Sequence, residues 1–128
     1  KMNEELFNQI RLRMRRELES EGAHLDAEYY CFHHPDAVKQ KYKANCECRK
    51  PKPRLFLNAS SDLGINPLRS FSVGDSLTDI KAGKAAGCTT ILIGTMKCDV
   101  CRLMEQENVF PDFVVGSLIK VVEIIRKR

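Results

Sequence analysis

The sequence contains no tryptophan, and aromatic residues make up only 7% of its 128 positions. Proteins that bind nucleic acids usually gather cations on one face together with stacking aromatics. The few aromatics here are scattered, so the formal net charge of +4 is weak evidence for such a partner. We interpret the basic residues as solvated helix faces. They are Arg11, Arg13, Arg15, Arg16, Arg126, Lys127 and Arg128.

Long apolar runs are also absent, which argues against a membrane span and predicts no membrane partner. The first ten residues, KMNEELFNQI, have no apolar segment typical of a signal peptide. The six cysteines have spacings that suit metal binding better than disulfides. Together these features predict a reducing, cytoplasmic location. The length predicts one domain over residues 1–128 with a modest core.

The first chemical motif comprises two close pairs of soft metal ligands. Cys31 and His33 form Cys-x-His, and after twelve further residues Cys46 and Cys48 form Cys-x-Cys. Four such ligands suit a tetrahedral zinc ion, and a site closed by protein on all sides is structural. His34 is an alternative ligand, although an extended Cys-x-His turns both side chains to one face and favours His33.

A cluster of cations follows the last of these cysteines directly, in the segment Arg-Lys-Pro-Lys-Pro. In the simplest interpretation, Arg49, Lys50 and Lys52 are solvated charges in a proline-rich turn. A rigid metal loop would instead hold cations ready for a phosphate group at little cost in entropy. We favour phosphate contact for Arg49 and Lys50, and the sequence leaves Lys52 open.

The second motif is Val-Gly-Asp-Ser-Leu-Thr-Asp over residues 73–79. It lies where a predicted strand ends and a helix begins, which is where open α/β sheets bind ligands. Asp75 is therefore a candidate ligand for a hard cation such as magnesium. The alternative is that it is an ordinary N-cap aspartate.

Hydrophobic periodicity predicts helices alternating with strands, and hence an open parallel α/β sheet flanked by helices. Ser117 is predicted to cap a last helix that turns Leu118, Val121, Val122 and Ile125 inward. The predicted helices cover residues 3–20, 53–64, 78–86 and the segment after 117; the predicted strands cover 27–32, 70–73, 89–93 and 113–115.

Three further cysteines lie outside the two close pairs. Cys98 and Cys101 form Cys-x-x-Cys, which we place in a loop after the strand at 89–93. A redox pair normally opens a helix in a thioredoxin-like fold, so we interpret these residues as ordinary thiols. Cys88 is predicted to be a small core residue.

These motifs together resemble the haloacid dehalogenase superfamily, and more narrowly its zinc-containing D-glycero-D-manno-heptose 1,7-bisphosphate 7-phosphatases. The segments YYCFHHP and CECRKPKP resemble the zinc loop of that family, and VGDSLTDIKAGKAAG resembles its metal-binding aspartate segment. Histidinol-phosphate phosphatases are similar but have a shorter loop between the two pairs. The twelve-residue gap and the His-His-Pro triplet favour the heptose enzyme, with histidinol phosphate as the alternative substrate.

The resemblance implies a Rossmann-type fold, a sugar-phosphate substrate and a step in making a lipopolysaccharide precursor. Lys50 would neutralise the nucleophile and the transferring phosphoryl group, and Arg49 and Ser76 would contact substrate. Asp75 would bind catalytic magnesium with support from Asp79. An aspartate would attack phosphorus, and water would hydrolyse the resulting aspartyl-phosphate. The zinc ligands would be Cys31, His33, Cys46 and Cys48.

The family's nucleophile lies in an Asp-x-Asp-Gly-Thr segment, and no two aspartates of this sequence form Asp-x-Asp. We therefore expect an N-terminally truncated phosphatase domain that is inactive alone. The alternative is a non-catalytic, zinc-stabilised module that binds or assembles. Such a module would associate with itself or with a partner through exposed sheet edges.

Overall fold

The computed structural model describes residues 3–31, 50–94 and 98–128, which form helices that alternate with short strands. A 3-10 turn at Pro67–Arg69 precedes the first strand. The elements in chain order are α1 (Glu4–Ser20), α2 (Arg54–Leu63), β1 (Phe71–Gly74), α3 (Leu77–Ala86), β2 (Thr89–Ile93), α4 (Cys98–Glu107), β3 (Phe113–Val115) and α5 (Leu118–Arg126).

The three strands form one parallel sheet in the order β1-β2-β3. Phe71 of β1 pairs with Thr89 of β2, and Ile91 of β2 pairs with Phe113 of β3. Parallel neighbours need crossover connections, and α3 and α4 provide them. The predicted α/β class, an open parallel sheet flanked by helices, is confirmed.

The centre of the core lies where α3, β2 and α4 meet. Ile80, Leu92 and Met104 are each at least 95% buried and come from these three elements in turn. Leu77, Val100 and Val109 pack around them. This cluster holds α3 against the sheet, and α3 in turn contacts both β1 and β2. The start of α3 is thereby fixed at the carboxyl end of β1.

Local sequence signals set most helix boundaries as expected. Asn3 caps α1 by accepting a hydrogen bond from the amide of Leu6 at 2.7 Å. Ser117 caps α5 in the same manner, through the amide of Lys120. Gly87 ends α3 with a φ of 98°, a left-handed conformation that favours glycine. These predicted helix ends are confirmed to within a residue.

Thr90 and Asp112 join β2 to the start of β3. The Asp112 carboxylate accepts hydrogen bonds from the Thr90 amide at 2.7 Å and from its hydroxyl at 3.1 Å. The Asp112 amide donates back to the Thr90 side-chain oxygen at 3.1 Å. These bonds, which outweigh partial burial, hold the pKa of Asp112 below its usual range. The pair fixes the register of the short edge strand.

We expect Asp112→Ala to lower the free energy of unfolding by roughly 1–2 kcal/mol. The substitution leaves the amide and the hydroxyl of the fully buried Thr90 without their hydrogen-bond acceptor. Urea denaturation measures this change. The matched substitution is Ser72→Ala, since the buried Ser72 hydroxyl has no hydrogen-bond partner among the described residues. Removing an unpartnered hydroxyl should leave stability unchanged or raise it. Equal losses in both variants would contradict this account.

Three predictions about elements are wrong. Residues 27–31, the described part of the strand predicted at 27–32, form no strand. The Cys-x-x-Cys pair begins helix α4 instead of lying in a loop. In α5 only Val121 of the four residues predicted to face inward is buried, whereas Leu118, Val122 and Ile125 are exposed. Helix α5 contacts β3, and it buries fewer of its apolar side chains than their spacing predicted.

Helix α1 is tied to the residues that follow it mainly by polar and aromatic contacts. Arg11 and Arg15 both pair with the carboxylate of Glu28, and the rings of Phe7 and Tyr30 meet edge to face. Two of the basic residues interpreted as a solvated face therefore have a structural partner.

No helix in the described ranges is long and apolar enough to cross a membrane.

Candidate functional site

The candidate site lies at the carboxyl end of β1, where the chain turns into α3. Gly74 is the last residue of β1, and a Cβ atom there would lie 2.4 Å from the Cβ of Asp79. No side chain fits at that distance. The glycine thus lets the first turn of α3 pack directly against the end of the strand.

Asp79 is the centre of this turn. It is only 8% exposed, and its Oδ2 accepts hydrogen bonds from the amides of Asp75 and Ser76, both at 3.2 Å. The Ser76 hydroxyl donates to the same oxygen at 2.9 Å and caps the helix. This capping box holds the backbone of residues 75 and 76 in place.

Lys50 joins the site from 29 residues earlier in the sequence. Its ammonium group donates a hydrogen bond to Oδ1 of Asp79 and forms an ion pair with it. About half of the Lys50 side chain is exposed, at 48%. The lysine is therefore anchored from one side and accessible to a ligand from the other.

The electrostatics of Asp79 favour its charged form. Burial alone would raise the pKa of this carboxyl group, but hydrogen bonds from Lys50 and Ser76 and the charge of Lys50 outweigh it. The pKa of Asp79 is thus lowered. A carboxylate with a lowered pKa stabilises the folded state above its unfolded pKa of about 3.9, and this contribution is lost on acidification.

We therefore expect Asp79→Asn to lower the free energy of unfolding by roughly 1–2 kcal/mol at neutral pH, a value reduced by the exposure of Lys50. The difference in unfolding free energy between Asp79→Asn and the unmodified chain should narrow as the pH falls below about 4, because the Asp79 carboxyl group then binds a proton in the unfolded chain before it does so in the folded one. Urea denaturation at a series of pH values measures it. Asp75→Asn is the matched control and should change stability little. A difference in unfolding free energy that does not vary with pH would contradict the stabilising role of the charged Asp79 carboxylate.

Asp75 is the residue best placed to bind a cation. It is exposed, and its carboxylate has no hydrogen bond or ion pair to any other described residue. Magnesium commonly takes one or two carboxylates and completes its shell with water and substrate phosphate. Asp75 fits one such position, whereas both oxygens of Asp79 are already occupied. The described ranges contain no cluster of three or more His, Cys, Asp or Glu residues that could hold a metal ion alone.

The structure brings together only some of the residues predicted from sequence. Lys50, Asp75 and Ser76 meet at the end of β1, as described above. Cys31, the first residue of the predicted zinc loop, is half-buried and is the last described residue before position 50. The other proposed zinc ligands and one proposed substrate contact lie outside the described residues, so the zinc site stays a prediction. These are His33, Cys46, Cys48 and Arg49.

Asp79 has a larger role than the sequence predicted. It was expected to be a weaker supporting carboxylate, yet it is the buried anion that positions Lys50. The signal was the Ser-x-x-Asp capping spacing that follows a strand-ending Gly-Asp. Ser76, expected to contact substrate, has its hydroxyl engaged with Asp79 and lies 2.9 Å from the Thr78 hydroxyl oxygen.

This geometry can bind an anion beside a cation. A helix N-terminus carries partial positive charge, and the ammonium group of Lys50 adds a full one. The Asp75 carboxylate offers a ligand to a hard cation, which would add positive charge beside the anion. A phosphate group bound with magnesium satisfies all three features.

Comparison with known proteins agrees with this chemistry. Residues 47–121 match the model of the HAD-hydrolase-like family. The D-glycero-beta-D-manno-heptose-1,7-bisphosphate 7-phosphatase of Pasteurella multocida is 43% identical over 125 residues, which are 97% of this chain and 65% of that protein. The enzyme of the same name from Photorhabdus laumondii is 43% identical over 96 residues, which are 74% of this chain and 51% of that protein.

A solved structure is also similar. The D,D-heptose 1.7-bisphosphate phosphatase from B. bronchiseptica, complexed with magnesium and phosphate, superposes with a TM-score of 0.77 at 27% identity. The match covers 98% of this chain and 65% of that one. This chain thus spans about half to two thirds of the length of these relatives. The matched family model, together with the fold, shows that the chain belongs to the HAD-like hydrolase family.

Proposed function

We propose that this chain forms the phosphate-binding and magnesium-binding part of a phosphatase. The substrate would be D-glycero-β-D-manno-heptose 1,7-bisphosphate, and the phosphate at C7 would be released. The anomer and the position follow the names of the relatives. The observation that carries the proposal is Lys50, which is anchored by buried Asp79 next to the available carboxylate of Asp75.

In this mechanism the residues of the chain bind and orient charge. The Lys50 ammonium group would offset negative charge on the transferring phosphoryl oxygens, and Asp79 would keep it aimed there. Asp75 would hold magnesium, which supplies further charge neutralisation when bound. Because these groups are fixed before substrate arrives, little reorganisation is needed during the reaction.

The attacking group would be an aspartate that these 128 residues do not provide in an Asp-x-Asp arrangement. Its carboxylate oxygen would bond to phosphorus as the bond from phosphorus to the C7 oxygen of the sugar breaks. The departing alkoxide would take a proton from a second aspartate. Water would then cleave the aspartyl-phosphate and release inorganic phosphate.

The remaining features of the proposal come from the sequence. Residues 1–128 would form one domain, with structural zinc on Cys31, His33, Cys46 and Cys48 and with Arg49 at the phosphate that is not cleaved. The cytoplasmic setting predicted from the cysteine pattern stays a prediction. So does the absence of nucleic-acid and membrane partners.

The test is an assay of the full-length protein, meaning the longest natural polypeptide that contains this chain. Phosphorus NMR would follow the two phosphates of the bisphosphate with and without magnesium. We expect magnesium-dependent loss of the C7 signal while the C1 signal is retained. Faster release from histidinol phosphate would favour the alternative enzyme. No release from either substrate would favour the non-catalytic module, and a size measurement would then test self-association.

A further inference from the structure

We propose that the chain has a second anion site, a cleft of about 330 Å³ in which Arg69 and Arg128 bind the phosphoryl group of a small molecule. The cleft lies between the 3-10 turn, the first residues of β1 and β2, and the end of α5. This site is independent of the function proposed above and uses none of its residues.

The cleft is at the opposite end of the sheet from Lys50 and Asp79. It is lined by Phe71 and Thr89, the first residues of β1 and β2, whereas Gly74 ends β1 at the other site. Three residue steps along a strand cover about 10 Å. Since β1 and β2 run parallel, one site lies at the amino ends of the strands and the other at the carboxyl ends. One ligand of this size does not reach both.

The charge of the cleft is positive. Among the described residues that line it, the charged side chains are those of Arg69 and Arg128, and none is a carboxylate side chain. Arg69 has no ion pair with any residue in the described ranges. The Arg128 guanidinium lies 5.2 Å from the ring centre of Phe113. Asp112 interacts electrostatically with Arg128, but its carboxylate is already committed to Thr90. The two cations are therefore available to an incoming anion.

The lining indicates a phosphorylated small molecule with a carbon skeleton. A planar guanidinium group can bind phosphate through two parallel hydrogen bonds. The Ser70 hydroxyl already donates to the carbonyl of Asn66 at 2.8 Å, so Thr89 supplies the remaining hydroxyl. Apolar side chains of Leu68 and Ile125 form exposed walls. The volume lies at the small end of the range for ligand pockets.

The test is a titration of the isotope-labelled full 128-residue chain followed by amide NMR signals. One arm uses inorganic phosphate and the other uses glucose 6-phosphate, with ionic strength held constant by chloride. We expect saturable shifts at Ser70, Phe71 and Thr89 in at least one arm. Tighter binding of glucose 6-phosphate identifies a phosphate ester as the ligand class, and equal binding identifies inorganic phosphate.

Arg69→Gln should weaken the affinity by about tenfold or more, because a charge-assisted pair of hydrogen bonds is lost. Arg102→Gln, which removes an exposed arginine of α4 outside the cleft, should leave affinity unchanged. If Arg69→Gln disturbs folding, Arg128→Gln provides the same comparison. The proposal is overturned if the three amides show no saturable shift, or if shifts occur only at residues 75–79. It is also overturned if Arg69→Gln and Arg102→Gln change the affinity equally.

Discussion

Replacing Lys50 with alanine is expected to lower kcat of the full-length protein on the heptose bisphosphate by about 10²- to 10³-fold. That range is typical when one preorganised group that stabilises the charge of a transition state is removed. The ammonium group is held by Asp79 before substrate binds, so its loss should affect kcat more than KM. Steady-state phosphate release measures both constants.

Two further variants make this result specific. Lys120→Ala removes an exposed lysine of α5 that pairs with Glu123, and it should leave kcat within about twofold of the unmodified protein. Lys50→Arg retains the charge but has a different shape, so only part of the activity should return. Unchanged turnover in Lys50→Ala would remove Lys50 from the catalytic role.

The second large effect concerns the 128-residue polypeptide itself. Purified alone, it is expected to release no phosphate from the bisphosphate at any magnesium concentration, because none of its seven aspartates lies two positions from another. Covalent catalysis needs a nucleophile, and charge stabilisation by Lys50 and Asp75 does not replace one.

A companion measurement keeps this null result informative. The same polypeptide should still bind magnesium together with phosphate, observed as amide shifts at Asp75 and Ser76, and Asp75→Asn should weaken that binding. Asp26→Asn, at an exposed position outside the site, is the matched control. Magnesium-dependent turnover by the polypeptide alone would be incompatible with the proposed division of roles.

Elements defined by short-range signals were predictable from sequence. The Ser117 cap of α5, the Gly87 end of α3 and the β-branched run of β2 each depend on a few neighbouring residues. Helix α3 and strand β2 lie close to their predicted positions. The strand predicted near Tyr29 does not form, because strand formation depends on more than the neighbouring residues. A β-branched or aromatic segment becomes a strand only with a neighbour to pair with, and the sequence does not specify that neighbour.

Helix α4 shows how a motif can mislead. The Cys-x-x-Cys spacing is typical of redox and metal sites, and the segment was predicted to be a loop. Val100 and Met104, four residues apart, carried the helical signal and pack into the core in the structure. The interpretation of Cys98 and Cys101 as ordinary thiols stays a prediction.

The sequence by itself determined the family, the α/β class and the positions of Lys50 and Asp75 in recognisable motifs, because each is encoded in neighbouring residues. Only the tertiary structure decided that Asp79 is the anchor of Lys50, since their contact joins residues 29 positions apart. It likewise decided that α5 buries Val121 and leaves Leu118 exposed. Both outcomes depend on how α3 and α5 pack against the sheet, and packing sums many contacts that local patterns do not contain.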